Sequence, residues 1–152
     1  MRYKILCVGK IKDKFFRDEI QILCDKINKN GNSIEIIEIP DIKIPDKLKD
    51  DKKEVFLQKE CEPMRSRIKN TDYVIALCIE GKEMDSKKHR SYIDKAVEMG
   101  KESISYVIGG SLGLPEWVKE RADLKLSFSK MTFPHQMMRM VLLEEIERIT
   151  AI

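Results

Sequence analysis

Short apolar runs alternate along this chain with stretches whose apolar residues recur at helical spacing, and that alternation restricts the fold more than any other feature. Tyr3 to Val8 is an apolar run that Gly9 ends, as expected of a strand buried on both faces. Phe16, Ile20, Leu23, Cys24 and Ile27 then fall at helical spacing, with Asn30 and Gly31 as the stop signal. Ile34 to Ile39 predicts a second strand, closed by Pro40. Residues 41–51, poor in apolar side chains, read as a surface loop. Leu57, Cys61, Met64 and Ile68 form another helical stripe, in which Pro63 removes a backbone donor and predicts a kink.

Asp72 to Ile79 (DYVIALCI) is the strongest strand pattern, and it is followed by Glu80, Gly81 and Lys82. Ser86 is placed to cap a helix carrying Ile93, Ala96 and Val97, which Gly100 stops. Ser103 to Ile108 predicts a strand that runs straight into Gly109-Gly110-Ser111-Leu112-Gly113. Pro115 opens a short helix through Ala122, Leu124 to Phe128 reads as the last strand, and Pro134 starts the final helix. Strands alternating with helices specify an α/β fold with a mainly parallel sheet and helices on both faces. A length of 152 residues suits a single domain spanning 1–152.

Composition narrows the function classes. Charged residues make up 36% of the chain but the formal net charge is only +3, which excludes a polybasic protein, and 42% hydrophobic residues exclude a disordered one. The longest apolar run, Val74 to Ile79, falls far short of the roughly eighteen residues that span a bilayer. Lys10, Lys12 and Lys14 follow the first apolar patch without a cleavage site, so a cytoplasmic protein with no membrane partner is expected. Cys7, Cys24, Cys61 and Cys78 sit in separate segments with no CxxC or CxH pair, which predicts reduced, mostly buried thiols and no metal. The final helix is apolar on more than one side (Met137, Met138, Val141, Leu142, Leu143, Ile146, Ile149), so a second copy of the chain is the expected partner.

In a parallel sheet, ligands bind beyond the carboxyl ends of strands, which directs attention to the residues after Ile79, Ile108 and Phe128. The Gly109–Gly113 loop can bring backbone N–H groups against a nucleotide, or it is simply a turn between strand and helix. The segment Leu126 to Gln136, with Arg139 beyond it, gathers hydroxyls, a lysine, a histidine and aromatics around a loop. By composition alone it reads more readily as a helix start capped by Thr132. The only histidines are His89 and His135, and no spacing of nucleophile and base identifies a hydrolase. The basic clusters Lys10, Lys12, Lys14, Arg17 and Lys82, Lys87, Lys88, Arg90 read as solvated faces or as RNA contacts.

The segments VIGGSLGL and LSFSKMTFPHQMMR, together with ILCVGKIKDKF, IEIIEIPD and ALCIEGKEM, closely resemble the RlmH family of SPOUT-class RNA methyltransferases. The resemblance implies methyl transfer from S-adenosylmethionine to N3 of a pseudouridine in large-subunit (23S) ribosomal RNA, within the assembled ribosome. It also implies a C-terminal trefoil knot, an obligate homodimer and no metal. Carried over, the cofactor positions are Leu77, Gly109 and the loop Phe128, Ser129, Lys130, Met131, Thr132, Phe133, with His135 and Arg139 the candidates for catalysis. Two positions depart from the family pattern. Cys78 stands where the family tends to have an acidic residue, and the sequence through Ile152 lacks the family's Gly-Glu-x-Tyr-His-Lys tail. Cofactor binding is therefore expected to survive, methylation to be weak, and a grafted tail to restore it. The alternatives are a non-catalytic dimeric module that binds the cofactor or the ribosome, and a generic nucleotide-binding protein. Gly109→Val is expected to abolish cofactor binding with little loss of fold, and Met138→Asp with Leu142→Asp to split the dimer.

Overall fold

The computed structural model describes residues 1–151, so the end at Ile152 lies outside the described residues. In chain order the elements are β1 (Arg2–Val8), α1 (Lys14–Lys29), β2 (Ser33–Ile39), α2 (Asp50–Cys61), a 3-10 segment (Glu62–Arg67), β3 (Asp72–Lys82), α3 (Ser86–Glu98), β4 (Ser103–Ile108), α4 (Glu116–Arg121), β5 (Leu124–Leu126) and α5 (His135–Thr150). The strands form one sheet in the order β2-β1-β4-β3-β5, and every pairing is parallel.

Side chains alternate across each strand, so the sheet divides the apolar residues into two clusters. Ile5, Cys7, Ile75, Ile104 and Tyr106 face α1, α3 and α5, whose Leu23, Ile27, Ala96, Leu142 and Ile146 complete that layer. Leu6, Val8, Val74, Ala76 and Val107 face the opposite side, against Cys61, Met64 and Val118 of α2, the 3-10 segment and α4. All six residues of β4 are buried, as a central parallel strand requires.

Several boundaries differ from the sequence reading. α2 begins at Asp50, inside the predicted loop, because Asp50 and Asp51 suit a helix's first turn. Pro63 does not kink α2. The α-helix stops at Cys61, and Pro63 lies in the first turn of the 3-10 segment, where a missing donor costs little. Asp85, not Ser86, caps α3 by accepting from the Lys88 N–H, while Ser86 Oγ donates to Glu145 at 2.6 Å. β5 ends at Leu126 rather than Phe128, and β3 runs on to Lys82. Leu142 is fully buried in its own chain's core, so it cannot be the exposed interface residue the sequence suggested.

Polar groups at the amino edge of the sheet are closely paired. Asp72 is only 1% exposed, yet its carboxylate accepts from Lys4 Nζ at 2.7 Å, Ser105 Oγ at 3.1 Å, the Lys69 N–H at 3.0 Å and Ser103 Oγ. Burial pushes the Asp72 carboxyl upward, but these bonds and the Lys4 charge together outweigh it and hold the group below its usual range. Away from that edge, near the start of α3, His89 is also 1% exposed and shares a 2.7 Å bond with Tyr106 Oη, while its Nδ1 has no hydrogen-bond partner; burial holds its imidazole below the usual value against the pull of Glu145.

Both shifts make the fold acid-sensitive, with the same sign. Neutral His89 is favoured in the fold, so the unfolded chain binds the extra proton and stability falls as pH drops below the ordinary histidine value of 6.5. Ionised Asp72 is favoured in the fold, so its contribution is present above the ordinary value of 3.8 and is lost as pH falls through the depressed folded value. We expect Asp72→Asn to lower unfolding free energy by about 3 kcal/mol, because Lys4 would lose its buried counter-charge. Urea titrations across the acid range would check this, and His89→Gln should remove the loss that sets in below 6.5.

Candidate active site

Three backbone excursions meet at the carboxyl edge of the sheet. The first interrupts β3. Leu126 of β5 pairs with both Leu77 and Lys82, so residues 78–81 loop out of the ladder and return. Gly81 permits the return, since a Cβ there would lie 2.8 Å from the Leu126 backbone. The second is the glycine loop after β4, closed by the Gly113 N–H donating to Gly110 O at 3.1 Å. A Cβ on Gly109 would sit 2.3 Å from Gly113 O, so this glycine lets the loop fold onto itself. The positive φ that the turn needs falls at Gly113, at +94°, and not at Gly109. The expectation that Gly109→Val spares the fold is therefore corrected, because the added side chain meets backbone.

The third excursion follows β5. Ser127 N–H donates to Lys82 O at 3.0 Å, Ser127 Oγ donates to Ser129 O at 3.0 Å, and the Met131 N–H donates to Ser129 Oγ at 3.0 Å. These bonds fix a loop that no regular element holds.

Between the three lies a cleft of about 550 Å³. Leu77, Gly109, Phe128, Ser129, Met131, Thr132, Phe133 and His135 all line it, along with Cys78, Ile79 and Glu80 from the β3 excursion. Lys130 is exposed and does not line the cleft. The cleft mixes apolar side chains with glycine backbone, which suits a small organic ligand, and its size falls in the usual range of about 300–1,000 Å³. On one wall Lys119 Nζ lies 2.6 Å from Glu80; this bond holds Glu80 below and Lys119 above their ordinary values.

Arg139 lies outside the cleft, on a neighbouring cavity, and its charge is already engaged. Its guanidinium donates to Glu38 at 2.8 Å, to Val8 O at 2.9 Å and to Gly9 O at 2.7 Å. His135, the first residue of α5, lines both spaces. Cys7 and Cys61 are buried, and burial pushes their thiols up to about 11 and about 12. Cys24 and Cys78 are half-buried, so the expectation of mostly buried thiols describes one pair better than the other. No group of His, Cys, Asp and Glu that could hold a metal ion occurs among the described residues.

A family model described as "Predicted SPOUT methyltransferase" matches residues 1–152. The chain belongs to the SPOUT methyltransferase family. Its relatives include the ribosomal RNA large subunit methyltransferase H 1 of Thermoanaerobacter pseudethanolicus, 44% identical over 96% of this chain and 94% of that protein. The methyltransferases H of Streptococcus uberis and Lactiplantibacillus plantarum are 42% and 43% identical over 97% of this chain and 92% of each relative. A crystal structure of a Neisseria gonorrhoeae protein described as belonging to a methylase family shares the fold. Its TM-score is 0.55 at 11% identity, covering 97% of this chain and 81% of that one.

The sequence reading missed the α2 wall (Asp50, Lys53, Glu54, Leu57) and Glu60, which lines the neighbouring cavity. Glu60 had a legible signal, because it falls within the apolar stripe Leu57, Cys61, Met64 at a position that a surface charge would avoid.

The Gly109 and Gly113 geometry separates two effects. Gly109→Ala should displace the loop backbone and weaken ligand binding in the cleft at least tenfold. Gly113→Ala, with open space but a positive φ, should cost about 1 kcal/mol of stability through backbone strain. Calorimetry with S-adenosylmethionine and thermal melts on both variants would check this, and equal ligand affinity in Gly109→Ala would remove the loop from the binding site.

Proposed function

We propose that this chain transfers a methyl group from S-adenosylmethionine to N3 of a pseudouridine in large-subunit ribosomal RNA, acting on the assembled ribosome in the cytoplasm. The observation that carries the reading is convergence: all the cofactor positions implied by separate sequence segments except Lys130 line one cleft at the carboxyl edge. The names of the relatives, all large-subunit rRNA methyltransferases, point the same way.

The donor supplies an already electrophilic methyl group on a sulfonium, so the chain's own residues chiefly bind and align. Leu77, Met131 and Phe133 offer apolar contact to the adenine, and the backbone of the glycine loop and of residues 128–133 offers hydrogen bonds to its edge and to the ribose. The β3 excursion and α2 form two walls of the cleft that would flank the donor. Arg139 acts as a positioning residue, because its bonds to Val8 O, Gly9 O and Glu38 hold the start of α5, and with it His135, against β1 and β2. Contact with RNA falls to basic groups: Lys82, Lys88 and Lys95 surround the Tyr92 ring at 5.5–5.7 Å from its centroid, a positive rim around a flat aromatic.

Dimerisation through α5 and a trefoil knot in the C-terminal third belong to the same reading. Met137 and Val141, four residues apart on α5, are half-buried and belong to neither apolar cluster, which leaves a stripe for a second copy. No helix among the described residues is long and apolar enough to cross a membrane.

Titration calorimetry should give S-adenosylmethionine binding and no comparable ATP binding. Radiolabelled methyl transfer to ribosomes from a strain lacking the modification tests the reaction, and donor binding without transfer would leave only a binding module. Met137→Asp with Val141→Asp should yield a folded monomer in sedimentation, whereas Leu142→Asp should unfold the chain by placing an unpaired charge in the core.

A further inference from the structure

The excursion of β3 is fixed at its two ends, where Leu77 and Lys82 both pair with Leu126. Between those ends, residues 78–81 pair with no neighbouring strand. Packing does not anchor them either, because Ile79 is 58% exposed. The Cys78 thiol turns back to Ala76 O within the same strand, at 3.9 Å. Among the described residues, one side-chain bond ties the excursion to another element: Lys119 Nζ of α4 lies 2.6 Å from Glu80 Oε1. Both residues line the cleft.

The two ends of that bond differ in firmness. α4 is anchored, since Val118 is fully buried and Trp117 and Ala122 pack against the same apolar cluster. Directly after α4, the Asp123 N–H donates to Val74 O at 2.8 Å, which ties this segment to β3. Lys119 therefore rises from a firm support toward a segment that has none of its own. The Glu80 and Lys119 side chains are 49% and 26% exposed, and ion pairs so open to water add little to global stability. What this pair contributes is local order. Leu77, one of the implied donor positions, is the residue directly before the excursion, so slack in 78–81 passes straight to the site.

We infer that the Lys119–Glu80 pair is a latch that fixes the β3 excursion as a wall of the donor cleft, so that Lys119 governs donor affinity as a positioning residue. The inference rests on the proposed use of S-adenosylmethionine and adds to it what holds the site in shape. A segment left free to sample conformations must be ordered each time a ligand binds against it, and that ordering weakens binding. The latch imposes the order beforehand. Its loss should act mainly on donor release, since changes in a binding site alter dissociation more than association. Salt screens a pair as exposed as this one, so part of the salt dependence of donor binding should come from the latch and vanish with it.

The test is titration calorimetry of the full chain with S-adenosylmethionine and with 5′-methylthioadenosine, which lacks the amino-acid end. Glu80→Gln and Lys119→Met, the latter keeping an apolar stem, should each raise both Kd values by about fivefold or more. Lys119→Arg, which keeps the charge, should stay within about twofold of the parent. The double variant Glu80→Gln with Lys119→Met should be no worse than either single one, because a latch is broken only once. Losses that multiply in the double variant, or that spare 5′-methylthioadenosine, would overturn the latch and make the two residues direct contacts of the donor. Unchanged affinity in both single variants would also overturn it. A second measurement needs no ligand: backbone amide order parameters of residues 78–81 should drop in Lys119→Met while those of Asp72 to Ala76 hold. Unaltered order in 78–81 would refute the latch. If the parent chain binds no S-adenosylmethionine, the proposed function fails, and the order parameters alone decide whether the pair holds the excursion.

Discussion

Arg139 carries a full charge into a part of the molecule that water scarcely reaches, and its hydrogen bonds explain how the carboxyl edge is assembled. The guanidinium meets the last carbonyls of β1, at Val8 and Gly9, together with Glu38 of β2. More than a hundred residues of chain separate these groups. A charge so buried is tolerated only when paired, and removing one partner of such a pair typically costs about 3–5 kcal/mol. The start of α5 is therefore held against β1 and β2 by a bond that the chain cannot readily abandon. His135 and Gln136 take their positions from it, and so does the boundary between the two cavities.

The cleft between the three backbone excursions, by contrast, owes its shape to backbone. The excursion at residues 78–81 closes because Gly81 lets two strands approach, and the loop after β4 closes because Gly109 lies against the Gly113 carbonyl. Neither contact involves a side chain that could rotate away, so the walls of the cleft are set by steric exclusion. That suits a site whose ligand brings its own reactivity, since what the protein adds is alignment, and small displacements of a positioned reactant can cost about a hundredfold in rate.

Strand alternation made the layered α/β fold and the location of the site legible from sequence. The apolar runs at Tyr3–Val8, Asp72–Ile79 and Ser103–Ile108 are buried strands because no polar alternation interrupts them, and ligands in such sheets gather at one edge. What could not be read locally were features that depend on distant neighbours. β3 continues past Ile79 only because Leu126 pairs with it twice. Leu142 looked like part of a second apolar surface because helical periodicity reveals how wide an apolar face is and not which partner covers it. Arg139 was read only as a candidate for catalysis, and Glu60 was missed, for the same reason. A charged residue in an apolar stripe announces burial, but its hydrogen-bonding partners come from other elements.

The two edges of the sheet differ in how completely their buried polar groups are satisfied. At the amino edge, both Asp72 oxygens are engaged by Lys4, two serines and a backbone N–H, so the network contributes order and has nothing left to bind. At the carboxyl edge, Glu60, Gln136 and Arg139 each keep one buried atom without a partner. A chain selected for stability alone would replace such atoms with apolar ones of similar shape, which is often neutral or stabilising. Arg139 is retained there because its other nitrogens tie the start of α5 to Val8, Gly9 and Glu38.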